Sequence, residues 1–318
     1  MPDLRPFGGS SLRLSPLCLG GNVFGWSADE EASFAVLDAY VAAGGNAIDS
    51  ANIYAWWAHG NRGGESEAIL GRWIAGRGRH DDVVVATKVG MAGGPDQPKG
   101  LTREKIRRGA EESLARLGVD RIDLYYAHED DQETDLAETM GAFDELVREG
   151  LVGTVAASNY TAARLAEALE VSDREGLVRF EGLQPAYNLL QRDQVEGGAG
   201  DVCREHGLGI ASYVSLARGF LTGKYRPGGP LPASHRAKGV ARDFMNDRGL
   251  AVLAAVDEVA QAHDATPAQV ALAWVMAKPG ITSAIASATT PGQVRELAGA
   301  MDLEITAAER DRLDAAGR

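Results

Sequence analysis

The chain has 318 residues, 45% hydrophobic and 24% charged, which is ample material for a packed globular core. Its 32 Lys and Arg against 45 Asp and Glu leave a formal charge of −13, which argues against nucleic acid and against an anionic membrane surface as partners. The opening Met1-Pro-Asp-Leu-Arg-Pro6 has no apolar run, no segment approaches the roughly 18 apolar residues of a membrane helix, and Cys18 and Cys203 are too few for a disulfide framework. These features read as a cytoplasmic protein with reduced thiols, and none of them specifies an oligomeric state.

In chain order, residues 5–14 predict a two-strand hairpin turning at Gly8-Gly9. Short apolar runs follow at Leu17–Gly20, Asn46–Asp49, Val83–Lys88, Ile122–Ala127, Val152–Ala157, Gly182–Gln184, Gly209–Tyr213 and Ser283–Ala286. They are continuous rather than alternating, as in strands covered on both faces. Between them lie segments of helical period. Asp29-Glu-Glu opens Ala32–Ala43, and Gly44-Gly45 stops it; Thr102 caps Ile106–Leu117, which ends at Gly118. Thr134 or Asp135 starts Leu136–Arg148, Thr161 starts Ala162–Leu169, and Thr266-Pro267 starts Ala268–Ala277. Strand, cap, helix and glycine in repeated order imply parallel strands with right-handed crossovers. Eight of them predict a single α/β domain over 1–318, a (β/α)8 TIM-type barrel behind the N-terminal hairpin.

The stretch Lys224–Asp243, after the seventh strand, is rich in Gly and Pro, carries Arg226, His235, Arg236, Lys238 and Arg242, and reads as a long functional loop. Two glycine motifs fail as phosphate loops. Gly198-Ala-Gly200 follows no strand, and Gly219-Phe-Leu-Thr-Gly-Lys-Tyr225 is one residue short of a Walker loop with Tyr in place of Ser or Thr.

Barrel enzymes draw their chemistry from the carboxyl ends of different strands. Here those ends carry Asp49, with Tyr54 five residues on, then Lys88, then His128. Singly, each has an ordinary reading as a turn former, a snorkelling lysine or a core histidine. A metal site is not expected, because alternation sends His128 and Asp130 to one side and Glu129 and Asp131 to the other. Together the four residues make a proton-donating unit. A phenol with a reference pKa near 10 is a weak acid at neutral pH, and a neighbouring ammonium is expected to lower that value. Asp49 would orient Lys88, and neutral His128 would hydrogen-bond a substrate oxygen.

Asp49-Ser-Ala-x-x-Tyr54, Ala86-Thr-Lys88 and His128-x-x-Asp131 resemble the tetrad motifs of the aldo-keto reductases, and Gly64-Glu-Ser-Glu67 with Leu70-Gly71 resembles the family's second helix. The likeness runs from Leu19-Gly-Gly-Asn-Val-Phe-Gly25 to the last strand and helix. It implies a barrel binding a nicotinamide cofactor, NADP(H) with NAD(H) as the alternative, and reducing a small-molecule aldehyde or ketone with Tyr54 as acid. By the same resemblance Gly21, Asn22 and Asp49 line the cofactor, while Ser158, Asn159 and Gln184 hold its carboxamide. Tyr213 stacks on the ring; Ser215, Leu216, Arg218, Gly219 and Lys224 wrap the diphosphate; and Ser287, Thr289, Gln293 and Glu296 meet the adenosine.

Three departures from the family pattern stand out. Val214-Ser215 replaces Ser-Pro, Ser287, Thr289 and Thr290 stand where many relatives have a basic residue, and Leu297 replaces Asn. Trp26, Trp56 and Trp57 fall on the catalytic side and, with Tyr54 and His128, would bound the substrate. They suit an aryl carbonyl or, as readily, pack loop against barrel, while His59, Asn61 and Arg62 keep a sugar or polyol open. A non-catalytic redox-sensing subunit, as some family members are, is the second reading. A Schiff-base aldolase using Lys88 is the third.

Overall fold

The structure is a computed structural model describing residues 3–94 and 96–318. Met1 and Pro2, which begin the segment read as carrying no leader, lie outside the described residues, as does Pro95. The hairpin pairs β1 (Arg5–Pro6) with β2 (Arg13–Leu14) antiparallel, and Gly8 supplies a φ of 59° at the turn.

The barrel strands are β3 (Leu17–Gly20), β4 (Ala47–Asp49), β5 (Val84–Val89), β6 (Ile122–Ala127), β7 (Val152–Ser158), β8 (Gly182–Gln184), β9 (Gly209–Ser212) and β10 (Ile281–Ala286). They pair in parallel in chain order and close through β10 on β3, as the eight apolar runs predict. The hairpin plugs the floor. Phe7 is fully buried, and a Cβ on Gly182 would fall 2.2 Å from its ring, so only glycine lets that strand start there.

Helices α1 (Glu30–Ala42), α2 (Glu65–Arg77), α3 (Arg103–Leu117), α4 (Leu136–Arg148), α5 (Ala162–Glu175) and α6 (Ala199–His206) wrap the first part of the barrel. They are followed by α7 (Ala237–Phe244), α8 (Asp247–Ala262), α9 (Pro267–Met276), α10 (Pro291–Ala298) and α11 (Ala307–Ala316). The predicted caps form: the Asp29, Thr102, Asp135, Thr161 and Thr266 side chains each accept a first-turn N–H. Two expectations change. Helix α5 continues past Leu169 to Glu175, because buried Val171 and Ser172 keep its face and Gly176 ends it. The latter part of Lys224–Asp243 belongs to α7 rather than to irregular loop, since Ala237, Val240 and Phe244 bury one face against the 217–222 turn and α8. Among the described residues no helix is long and apolar enough to cross a membrane, and Cys18 and Cys203 are both buried free thiols.

Candidate active site

Register sets the geometry. Asp49 pairs with Ala86 on β5, so Lys88 sits one inward layer higher, opposite Tyr126 on β6. Thr87, between them, points outward and donates to Glu67 at 2.5 Å. Period two thus sends an ammonium into the barrel and a hydroxyl to the helices.

Lys88 is fully buried, and its three N–H bonds are all used. They go to the Asp49 carboxylate at 2.7 Å, the Ser50 carbonyl at 2.6 Å and the Tyr54 hydroxyl at 2.9 Å. The Tyr54 hydroxyl donates to Asp49 Oδ2 at 3.0 Å, and Gln184 Nε2 donates to Oδ1 at 2.8 Å. The His128 ring stands edge-on to that of Tyr54, centroids 6.2 Å apart. Four residues from three strand ends and one loop therefore meet at one mouth of the barrel.

Burial pulls the Lys88 ammonium below its usual range, opposed by the Asp49 charge. Burial, then Lys88, pushes the His128 imidazole well below its ordinary value, so the ring is neutral. Its Nδ1 is buried without a partner among the described residues. The expected lowering of Tyr54 is reversed: burial first, then the Asp49 charge and hydrogen bond, push the phenol well above 10. Burial is the larger cause, and the carboxylate that accepts the phenol's proton acts in the same direction. Tyr54 is therefore a fully protonated group held ready, rather than a partly ionised one.

Some of the other expected positions bond to this cluster, and the rest have partners elsewhere in the loops. Gly21 N–H donates to the Asp49 carbonyl at 2.7 Å, and Asn22 accepts from Ser287 at 2.5 Å, joining the first and last loops of the mouth. Ser158 donates to the Gln184 carbonyl at 2.9 Å. Asn159, at a positive φ of 57°, donates to the His128 carbonyl and accepts from the Tyr213 hydroxyl at 2.8 Å. This holds the half-buried Tyr213 ring against the mouth. Val214, Ala217, Arg218 and Gly219 all have positive φ, a strained path for the first three, and Ser215 turns its hydroxyl back onto the Ser212 carbonyl. Leu216 is half-buried. Arg218 is exposed and pairs with Asp243. Lys224 lies over the Tyr225 ring. Thr289 donates to Gln293, and the Glu296 carbonyl accepts from Gln269.

On the outer side, Trp26 packs edge-on against Trp57, which lies 6.2 Å from Tyr54. Trp56 and Trp57 are 41% and 39% exposed, whereas most large apolar side chains here are buried. Asn61 and Arg62 are engaged by protein partners: Asn61 donates to the Gly25 and Ala55 carbonyls, and Arg62 pairs with Asp96. Residues given no separate role by the sequence also reach the site. Arg236 stacks on Trp26 at 5.0 Å, and burial, then the Arg218 charge, pull its guanidinium below the usual range. Its place in a basic stretch was the only signal. Ser50 and Ser66, both fully buried, lie behind Lys88; they stand inside quoted motifs but carry nothing that marks a role.

Residues 16–318 match the aldo/keto reductase family. The chain belongs to that family. As an aldo/keto reductase it is a member of a family of oxidoreductases, and the barrel and resemblance read from the sequence hold. It is 34% identical over 307 residues to an uncharacterized oxidoreductase, YrpG, of Bacillus subtilis (strain 168), covering 94% of this chain and 90% of that one. A probable voltage-gated potassium channel subunit beta of Oryza sativa subsp. japonica is 34% identical over 306 residues, 94% of this chain and 91% of its own. Protein tas of Escherichia coli (strain K12) is 32% identical over 323 residues, 93% and 92%.

Proposed function

We propose that this aldo/keto reductase reduces the carbonyl of a small aldehyde or ketone with NADPH, NADH being the alternative, and that Tyr54 is its proton donor. The observation carrying this reading is the Tyr54 hydroxyl, 2.9 Å from the Lys88 ammonium and 3.0 Å from Asp49. The residues fit a nicotinamide cofactor. Tyr213 offers a half-open ring face backed by Asn159, and Ser158, Asn159 and Gln184 supply amide and hydroxyl groups beside it. Lys224 and Arg236 have no acidic side chain within 4 Å among the described residues, and they flank a backbone turn able to hold phosphates. Gly21, Asn22, Ser215, Leu216, Arg218 and Gly219 would line the same path, with Ser287, Thr289, Gln293 and Glu296 at the adenosine end.

When bound, the reduced nicotinamide supplies a hydride to the carbonyl carbon. Tyr54 turns its proton from Asp49 to the carbonyl oxygen, so the product leaves as the alcohol. Lys88 stabilises the phenolate that remains until solvent returns a proton, and Asp49 keeps the ammonium charged and in place. Neutral His128 donates a hydrogen bond to the same oxygen without competing as an acid. The Lys88 amine has its three hydrogens committed to protein acceptors, which counts against Schiff-base chemistry there. Trp26, Trp56 and Trp57 bound the entrance. With Asn61 and Arg62 engaged elsewhere, His59 alone is left of the polar groups read there, and an aryl carbonyl fits the entrance better than a polyol.

The test is Tyr54→Phe. Turnover with NADPH and a carbonyl panel falls at least about 10²-fold, while NADPH binding, followed by fluorescence, is kept. Wild-type turnover by Tyr54→Phe removes the mechanism. The relatives named as potassium channel subunits favour one second reading, a nicotinamide-binding redox sensor. Tight cofactor binding with no turnover across the panel would select it.

A further inference from the structure

We propose that Ser66 is a positioning residue which, through Ser50, holds the Lys88 ammonium under the Tyr54 hydroxyl; this rests on the reductase reading above. The Ser66 hydroxyl, in the first turn of α2, donates to the Gly21 carbonyl at 2.9 Å. It also lies 2.9 Å from the Ser50 hydroxyl. A serine has one proton to give. Since Ser66 spends its proton on Gly21, Ser50 is the donor in the Ser50–Ser66 bond, and the chain has one direction. Ser50 itself is fixed at two further points: its N–H donates to the Ala86 carbonyl at 2.8 Å, and its carbonyl accepts Lys88 at 2.6 Å. Gly21 closes the ring by donating to the Asp49 carbonyl.

Both hydroxyls are fully buried, so water cannot replace a lost partner cheaply. The space is closed as well: a Cβ on Gly21 would fall 2.9 Å from the Ser66 oxygen and 3.0 Å from the Asp49 carbonyl oxygen. The ring thus ties a loop assigned to the cofactor, Gly21, to the ammonium assigned to the phenol, Lys88. Removing Ser66 leaves the Ser50 hydroxyl without its acceptor and the Gly21 carbonyl without its donor, so the Ser50 carbonyl that accepts Lys88 is held less firmly.

Ser66→Ala, Ser50→Ala and the double variant are compared in the full chain. Each single change lowers kcat about tenfold on a carbonyl that the wild type reduces, with KM and cofactor Kd within about twofold. The double variant loses no more than the worse single one, because both cut one chain. Losses that multiply, or unchanged kcat in both singles, overturn the proposal. A second measurement needs no turnover. In protein labelled with [ε-13C]lysine, the Lys88 resonance, identified by its disappearance in Lys88→Met, shifts in Ser66→Ala. It stays put in Ser113→Ala, which removes another buried hydroxyl, one on α3 with no partner. A stationary Lys88 signal in Ser66→Ala overturns the positioning role even in a protein that reduces nothing, so its failure is separate from that of the reductase reading.

Discussion

The Asn61 side-chain amide donates to the Gly25 carbonyl at 2.9 Å, bridging the loop that carries Trp26 to the loop that carries Trp56 and Trp57. A second bond, to the Ala55 carbonyl at 3.0 Å, holds Ala55 in a left-handed conformation with φ 72°. The bridge joins the two loops whose Trp26 and Trp57 meet edge-on. Asn61→Ala therefore loosens the entrance while leaving the Tyr54 cluster intact. KM for an aryl aldehyde should rise about three- to tenfold, with kcat little changed. Steady-state kinetics that show the loss in kcat instead would contradict this role.

Glu67 is fully buried and accepts from Thr87 at 2.5 Å and from Arg116 Nε at 2.7 Å, locking α2 and α3 to β5. Removing its charge leaves the guanidinium, whose Nη2 already lacks a partner, in a poor environment. Glu67→Gln should cost about 3 kcal/mol in urea denaturation, at the low end for a broken buried pair because Arg116 keeps 22% exposure. A loss under about 0.5 kcal/mol would show that the pair is structurally idle.

His128 supplies a pH dependence of stability whose sign is fixed by its surroundings. Burial, then Lys88, hold its folded pKa well below 6.5. Below about pH 6.5 the unfolded chain takes up a proton that the folded chain refuses, so stability falls as pH falls, by up to about 1.4 kcal/mol per unit. Between pH 7 and 5.5, wild type should lose about 1 kcal/mol more than His128→Asn. Urea midpoints at the two pH values measure the difference. Parallel losses in both proteins would mean that the imidazole titrates normally in the fold.

Much of this molecule is written locally. A continuous run such as Val83–Lys88 suits a strand covered on both faces, and Thr102 or Asp135 before a periodic segment suits a helix start, because strand burial and helix capping operate within a few residues. Helix α7 escaped the same reading because Gly, Pro and basic residues upstream mask the spacing of Ala237, Val240 and Phe244. The extension of α5 escaped because its last turn buries only Val171 and Ser172, too little apolar pattern to extend a helix from sequence.

The ionisable groups at successive strand ends were likewise written in the chain, since parallel strands carry their carboxyl ends to one face. Their states were not. The Tyr54 phenol is driven up rather than down because burial and the Asp49 carboxylate act on it together, and both depend on closure of the barrel. Gln184 reaches Asp49 across 135 residues of chain, and Asn61, Arg62 and Ser66 acquire their duties from carbonyls and carboxylates in other loops. Local pattern selects the elements and the side of the sheet that each side chain takes. Hydrogen-bond partners and burial are properties of the packed whole, so closure of the barrel determined which of those side chains face a substrate and which are consumed in holding the site together.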